Sequence, residues 1–411
     1  KEQAGRMSNH YPPEDAKGFQ YVKQMEEGRL GKDEPYFKWL KKKHPEIDDL
    51  WNYQNREFEF TENEYHESWI AAEAEKYIKK QVNSNPEKPF LSWISFQGPH
   101  SPLDPPSEVK GLIDRTKLPQ PLSEDKQLSP VARYRKALNN LTENKKEIMK
   151  MREAYAEIIV EIDKQIGRIL DLLKELDIFD NTTIIFSADH GDLLGDYGLN
   201  AKGPYPYRGQ LNIPLMLSNH PEIISGTRSD ILTGNIDIPG TILDIAGSEN
   251  SIGFSRSLLK QVQEDSEQRE VIFSEFCDSI KTVDSKKYRF CYHPFIKFCE
   301  LYDKENDPGE VNNLAGREKY AEIEKEMLAH IIDFGILSKG IRIEAHDFVP
   351  EQQEGVRKKY PDFEKDFRVA FPLSKSDLKK LREKGLSTEY NEFMKEMDII
   401  NYYAKPYWEE N

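Results

Sequence analysis

The run from Thr182 to Gly209, TTIIFSADHGDLLGDYGLNAKGPYPYRG, drives an apolar segment straight into polar residues that can do chemistry. Asp189 and His190 come first, with Gly191 behind them. A carboxylate oxygen beside an imidazole nitrogen is a ligand pair for a divalent ion, oxygen suiting calcium or magnesium and the mixed set zinc or manganese. The same dipeptide also describes a strand-end turn in which the aspartate caps the next segment. Lys202 stands thirteen residues after Asp189 among glycines and prolines. It could return to neutralise a bound oxyanion as a point charge, or it could be a surface lysine. The order Lys202-Gly203-Pro204 is not a phosphate-cradling loop, which needs Gly-Lys followed by Ser or Thr. Asp192 and Asp196 read as solvated loop carboxylates or caps, with no catalytic role. His100, in FQGPHSPLDPP, sits between Pro99 and Pro102, which limit where its ring can point. It is a candidate general acid or oxyanion donor, or a loop histidine packed on Trp93 or Tyr205.

These residues need elements to place them. The helical spacing of Ile70, Ala74, Tyr77 and Ile78 predicts a helix over Glu67–Gln81, and the apolar run FLSWISF, Phe90–Phe96, predicts a strand ending at the His100 loop. The pattern repeats in a long amphipathic helix over about Glu153–Leu176, the strand TTIIFS, and the loop of Asp189. A third apolar run, Ile213–Ser218, and a helix over about Ile238–Ala246 ending at Gly247 follow. Shorter helices are expected at Tyr21–Glu27 and Pro35–Lys43. Short apolar strands between amphipathic helices define an α/β fold: a mixed, mostly parallel sheet covered by helices on both faces. In such sheets ligands bind beyond the carboxyl ends of the strands, so His100, Asp189, His190 and Lys202 are expected to share one pocket.

After about Gly253 the texture changes. VIFSEF, KYRFCYH and CELYD are short strand candidates, followed by one helix over Tyr320–Phe334. They form a smaller C-terminal antiparallel-sheet subdomain. The expected organisation is an α/β domain over 1–260, the subdomain over 261–340, and a charged, aromatic tail over 341–411 with two helices.

Composition narrows the function. The chain has 411 residues and a net charge of −15, with 32% charged and 37% hydrophobic residues. An acidic surface disfavours nucleic-acid and anionic-membrane partners, and no stretch has the length of a membrane span. A local basic cluster can still invert the field inside one cleft. Cys277, Cys291 and Cys299 lack zinc spacing, and their odd number argues against a disulfide framework; they are expected as small buried residues.

In combination, PFLSWISFQGPHSPLDPP, IDKQIGRILDLLKELDIFDNTTIIFSADHGDLLGDYGLNAKG, NIDIPGTILDIAG and ELYDKENDPGEVNNLA closely resemble the type I sulfatases of the alkaline-phosphatase superfamily, over roughly Gly18 to Ala315. The resemblance implies hydrolysis of sulfate esters, in particular on a sulfated carbohydrate, with one Ca²⁺ and a formylglycine made from C/S-x-P-x-R. It implies that Asp189 and His190 are calcium ligands, although many members have Asn where this chain has His190. It implies that Lys202 grips the sulfate and that His100 contacts it and helps the leaving oxygen depart. A periplasmic or secreted location is expected on the same ground.

The chain departs from the family's pattern in two places. No C/S-x-P-x-R occurs: Ser129-Pro130-Val131-Ala132-Arg133 has its proline one place early, and Cys291-Tyr292-His293-Pro294 has it one place late. The paired upstream aspartates are also not found. Second, the family's Gly-Lys-x-His block corresponds to GRMSNH, placing Arg6 and Ser8 at its polar positions, with His10 two residues on. The expectation is therefore a chain lacking the nucleophile segment and first strand, inactive alone, with a hydrophobic sheet edge left open. The alternatives are a phosphodiesterase or phosphonate monoester hydrolase of the same superfamily, or a non-catalytic binder of sulfated glycans. Two-metal relatives generally need further histidines, often as Asp-x-x-x-His, and none of the nine histidines stands four residues after an aspartate.

Overall fold

The computed structural model describes residues 18–23, 25, 34–47, 59–122, 126–138, 144–263, 267–276 and 280–342. In chain order the elements begin with α1 (Pro35–Lys43), α2 (His66–Ser84), α3 (Pro130–Leu138) and α4 (Lys145–Glu175). Then come β1 (Ile184–Ser187), α5 (Arg208–Leu211), β2 (Leu215–Ser218), α6 (Asp237–Ile245) and α7 (Leu258–Gln261). The C-terminal part holds β3 (Ile272–Phe276), β4 (Ile280–Asp284), β5 (Tyr288–His293), β6 (Phe298–Asp303) and α8 (Ala321–Arg342). Two compact units result. The first is drawn from Lys1–Gln120, Lys145–Ile184 and Leu217–Pro221, the second from Pro121–Asn144, Ile185–Met216 and Glu222–Asn411.

In the first unit α4 is the organising element. Ile148, Met149, Ile158, Ile162, Ile169, Leu172 and Leu173 are buried along it at helical spacing. Ala71 and Ile78 of α2 pack against its C-terminal half, and Phe90, Ile94 and Phe96 join that cluster. Tyr36, Phe37 and Leu40 of α1 meet Tyr65, Trp69, Ile158 and Ile162 in a second cluster. Each such side chain, fully buried, stabilises the fold by roughly 1.5–3 kcal/mol. The helix stops at Asp177, whose φ of 57° turns the chain left-handed, while the Ile178 N–H closes back on the Leu173 carbonyl at 3.0 Å. The helix begins at Lys145, ahead of the expected Glu153, because its charged first turns carry too little apolar periodicity to be read.

Two expectations in this unit are corrected. Residues 21–23 and 25, expected as helix, are not helical. The Tyr21 ring instead stacks on Tyr77 of α2 at 4.7 Å, and Lys23 pairs with Glu73 at 2.5 Å, so tertiary contacts replace local ones. The run 90–96, expected as a strand, joins no ladder among the described residues. Its burial nonetheless alternates with period two, and Leu91 and Trp93 turn outward, 52% and 79% exposed.

In the second unit β3-β4-β5-β6 form an antiparallel meander. The register sets Val283 against Phe290, and Phe290 against Leu301. These three residues, with Leu314, pack on Met327 and Ile331 of α8. The sequence reading misses β4, IKTVD, because charges at Lys281 and Asp284 mask its buried Ile280, Thr282 and Val283. Strands β1 and β2 form a separate two-stranded sheet. Cys291 is buried and Cys299 half-buried; Cys277 and both tail helices lie outside the described residues. Among the described residues no helix is long and apolar enough to cross a membrane.

Candidate functional site

The His100 loop belongs to the first unit. Glu67, wholly buried at the start of α2, accepts the Gly98 N–H at 2.5 Å. A Cβ on Gly98 would fall 2.6 Å from Ile158 Cγ2 and 2.8 Å from Glu67 Oε1, so the approach of this loop to α4 requires glycine. His100 Nδ1 lies 2.7 Å from the Ser101 carbonyl. A carbonyl only accepts, so Nδ1 is the donor in this contact. On α4, burial pushes the Glu161 carboxyl up to about 7, although Gln165 and Ser68 donate to it at 2.8 and 3.2 Å.

Asp189, His190 and Lys202 belong to the second unit, on the segment after β1. Asn235 brackets the strand end: its Oδ1 accepts the Ser187 hydroxyl and its Nδ2 donates to the Ala188 carbonyl, both at 2.7 Å. Asp189 Oδ1 then accepts the His190 N–H at 3.1 Å. His190 Nδ1–H donates to the Gly191 carbonyl at 2.9 Å, which leaves Nε2 as the lone-pair nitrogen, 3.6 Å from Asp189 Oδ2. Gly191 is obligatory here, since a Cβ would stand 2.0 Å from the Gly209 carbonyl oxygen. Asp192 accepts the N–H of Leu194 two residues on, and Asp196 accepts that of Leu122 across 74 residues, both at 2.9 Å, so each carboxylate braces the loop.

Lys202 is carried between two fixed peptides. On one side the Ala201 carbonyl accepts the Leu193 N–H at 3.3 Å. On the other, the Gln210 side-chain amide takes both polar atoms of Gly203, accepting its N–H at 2.9 Å and donating to its carbonyl at 3.0 Å. The Gln210 carbonyl meanwhile accepts the Gly191 N–H at 2.8 Å. A tyrosine core supports this segment: Tyr197, Tyr205, Tyr207 and Tyr302 pack with Leu193 and Leu199. The Lys126 ammonium lies over three of those rings, 3.6 Å from Tyr302, 4.1 Å from Tyr207 and 4.8 Å from Tyr197, and donates to the Glu310 carbonyl. Burial pulls its pKa down to about 8, against the pull of Glu300 and Glu310. Burial raises the Glu300 carboxyl, yet His293 at 2.9 Å and the Tyr302 hydroxyl at 2.6 Å outweigh it and hold the group below its ordinary value.

Asp189, His190 and Lys202 thus lie along one braced segment of the second unit, and His100 lies on a separately braced loop of the first. Gln210, Asn235, Glu67, Lys126 and Glu310 escape the sequence reading. The glycines at 98 and 191 signal close approach, but their partners, Glu67 with Ile158 and Gly209, are not marked by any motif. Arg6, Ser8 and His10 lie outside the described residues.

Asp189 Oδ2 and His190 Nε2 stand 3.6 Å apart, close enough for both to reach one divalent ion; the carboxylate oxygen suits calcium, and the mixed oxygen–nitrogen pair also suits zinc or manganese. Among the described residues no group of three or more His, Cys, Asp or Glu side chains forms a metal cage.

The described residues carry α/β elements and a four-stranded antiparallel sheet. Residues 8–248 match the family model for sulfatase, and residues 195–335 match that for the C-terminal part of N-sulphoglucosamine sulphohydrolase. The chain belongs to the sulfatase family. It is 30% identical over 305 residues to an arylsulfatase of Clostridium perfringens, covering 70% of this chain and 63% of that protein. The chain spans 34 to 63% of the length of the first curated relatives it matches. Two solved structures share the fold. A phosphonate monoester hydrolase from Silicibacter pomeroyi has a TM-score of 0.65 at 20% identity, covering 79% of this chain and 75% of that one. A protein solved in complex with its substrate D-glucosamine-2-N,6-O-disulfate has a TM-score of 0.59 at 19% identity, covering 67% of this chain and 70% of that one.

Proposed function

We propose that this chain is the larger part of a calcium-dependent sulfatase that hydrolyses sulfate esters on a sulfated carbohydrate. The observation that carries the reading is the Asp189–His190 pair, two ligand-type atoms 3.6 Å apart, on a segment inside the sulfatase match that also carries Lys202. The carbohydrate assignment is supported by the disulfated glucosamine held by one structural relative.

In this reading Asp189 and His190 would hold the calcium ion, which when bound would polarise the sulfate. The Lys202 ammonium neutralises a sulfate oxygen as charge develops. His100, its Nδ1–H fixed on Ser101, delivers a proton from Nε2 to the departing sugar oxygen. No residue of this chain fits a formylglycine, because C/S-x-P-x-R is absent. We place the nucleophile and the remaining calcium ligands in sequence outside these 411 residues and expect the chain alone to be inactive. Exposed Leu91 and Trp93 support a further strand along 90–96.

The likeness to the Silicibacter enzyme favours a second reading, phosphonate monoester hydrolysis. Parallel assays of the full-length protein on glucosamine 6-sulfate and on an aryl phosphonate, with metal content measured, separate the two. Sulfate release with one Ca²⁺ per chain is expected. Preferential phosphonate turnover with two transition-metal ions would overturn the sulfatase reading.

A further inference from the structure

We propose that Gln210 is a positioning residue that fixes the Lys202 ammonium at a set distance from the Asp189–His190 pair. The inference rests on the functional reading above and adds to it a residue that contacts neither sulfate nor metal. Gln210 touches the peptides beside both functional positions: its carbonyl accepts the Gly191 N–H at 2.8 Å, and its side-chain amide closes on Gly203 at 2.9 and 3.0 Å. A two-point amide grip fixes a peptide plane in orientation as well as place, which a single hydrogen bond cannot do.

Gln210 is itself held from behind. It lies on the one-turn helix α5, whose first residue, Arg208, gives its backbone N–H to Glu310 Oε2 at 2.9 Å and its guanidinium to the Pro308 carbonyl at 2.8 Å. The intervening Gly309 carbonyl accepts the Tyr197 hydroxyl at 2.8 Å. Three consecutive residues of the ELYDKENDPGEVNNLA block thus grip the segment on either side of Lys202. Glu310 is anchored in turn by Arg289 at 2.5 Å and by Lys126. This explains why a block in the small subdomain matters to a lysine roughly a hundred residues earlier: it aims Gln210, and Gln210 aims Lys202.

The test is a double-mutant cycle in the full-length protein with 4-nitrophenyl sulfate as substrate and inorganic sulfate as a competitive ligand. Gln210→Met keeps the shape and removes the grip. It should lower kcat/KM about 10- to 100-fold, mainly through KM, and weaken sulfate binding, while circular dichroism stays that of the parent. In a Lys202→Ala background the same change should have little further effect, because Gln210 acts through Lys202. Should Gln210→Met not fold, Gln210→Glu keeps the acceptor for Gly203 N–H, removes the donor, and should give a smaller loss in the same direction. Unchanged kcat/KM and sulfate affinity, or a full additive loss in the Lys202→Ala background, overturns the positioning role and leaves the functional reading standing. Full activity in Lys202→Ala alone would instead remove the reading and the proposal together.

Discussion

Asp189 Oδ2 and His190 Nε2 stand 3.6 Å apart, and the imidazole is held in that attitude by its own Nδ1–H on the Gly191 carbonyl. The carbonyl sets the tautomer, so the nitrogen facing the carboxylate is the one able to bind a cation. Replacing Asp189 by Ala removes one of the two donors. Calcium titration calorimetry on the full-length protein should show affinity lower by at least about tenfold; unchanged affinity would remove Asp189 from the metal site.

Gly191 tests the same geometry from the backbone. A Cβ there meets the Gly209 carbonyl oxygen at 2.0 Å, and neither partner is the flexible end of a side chain. Gly191→Ala must push the Asp189 loop away from the turn before Gln210. We expect destabilisation of about 1–3 kcal/mol in urea unfolding, with loss of calcium affinity. An alanine variant with parental stability and affinity would contradict the close approach.

The carboxyl of Glu161 gives the first unit a defined pH dependence. Burial raises its pKa from 4.5 in the unfolded chain to about 7 in the folded one. Below about 4.5 both states are protonated and above about 7 both are ionised. Between them only the folded protein holds the proton, so stability falls as pH rises through that window. The loss is on the order of 3 kcal/mol. Glu161→Gln keeps an acceptor for Ser68 and Gln165 and cannot ionise. Its unfolding free energy should therefore fall less between pH 5 and pH 8 than that of the parent, and equal slopes would contradict a buried, proton-holding Glu161.

The fold was largely legible where side chains repeat at the period of their element. The stripe from Ile158 to Leu173 announces α4, and TTIIFS, KYRFCYH and CELYD announce β1, β5 and β6 within two residues. Legibility fails where partners rather than period decide the structure. Phe90–Phe96 reads as a strand but lacks a ladder among the described residues, and Tyr21–Glu27 reads as a helix, whereas its described residues 21–23 and 25 are not helical and Tyr21 and Lys23 engage Tyr77 and Glu73 of α2. In the candidate site, Asp189, His190, Lys202 and His100 are visible because their residue types carry the chemistry. Gln210 and Glu310 are not: one is a neutral amide on a one-turn helix, and the other meets Arg208 across 102 residues of sequence.

Inorganic sulfate released from glucosamine 6-sulfate by the full-length protein, wild type against Lys202→Ala, bears most directly on the whole account. Removing a single charge-stabilising donor at such a centre costs about 10²–10³ in rate, so the wild type should release sulfate in a calcium-dependent way and the variant should be slower by that order. Equal rates for the two proteins, or release indifferent to calcium chelation, would contradict it.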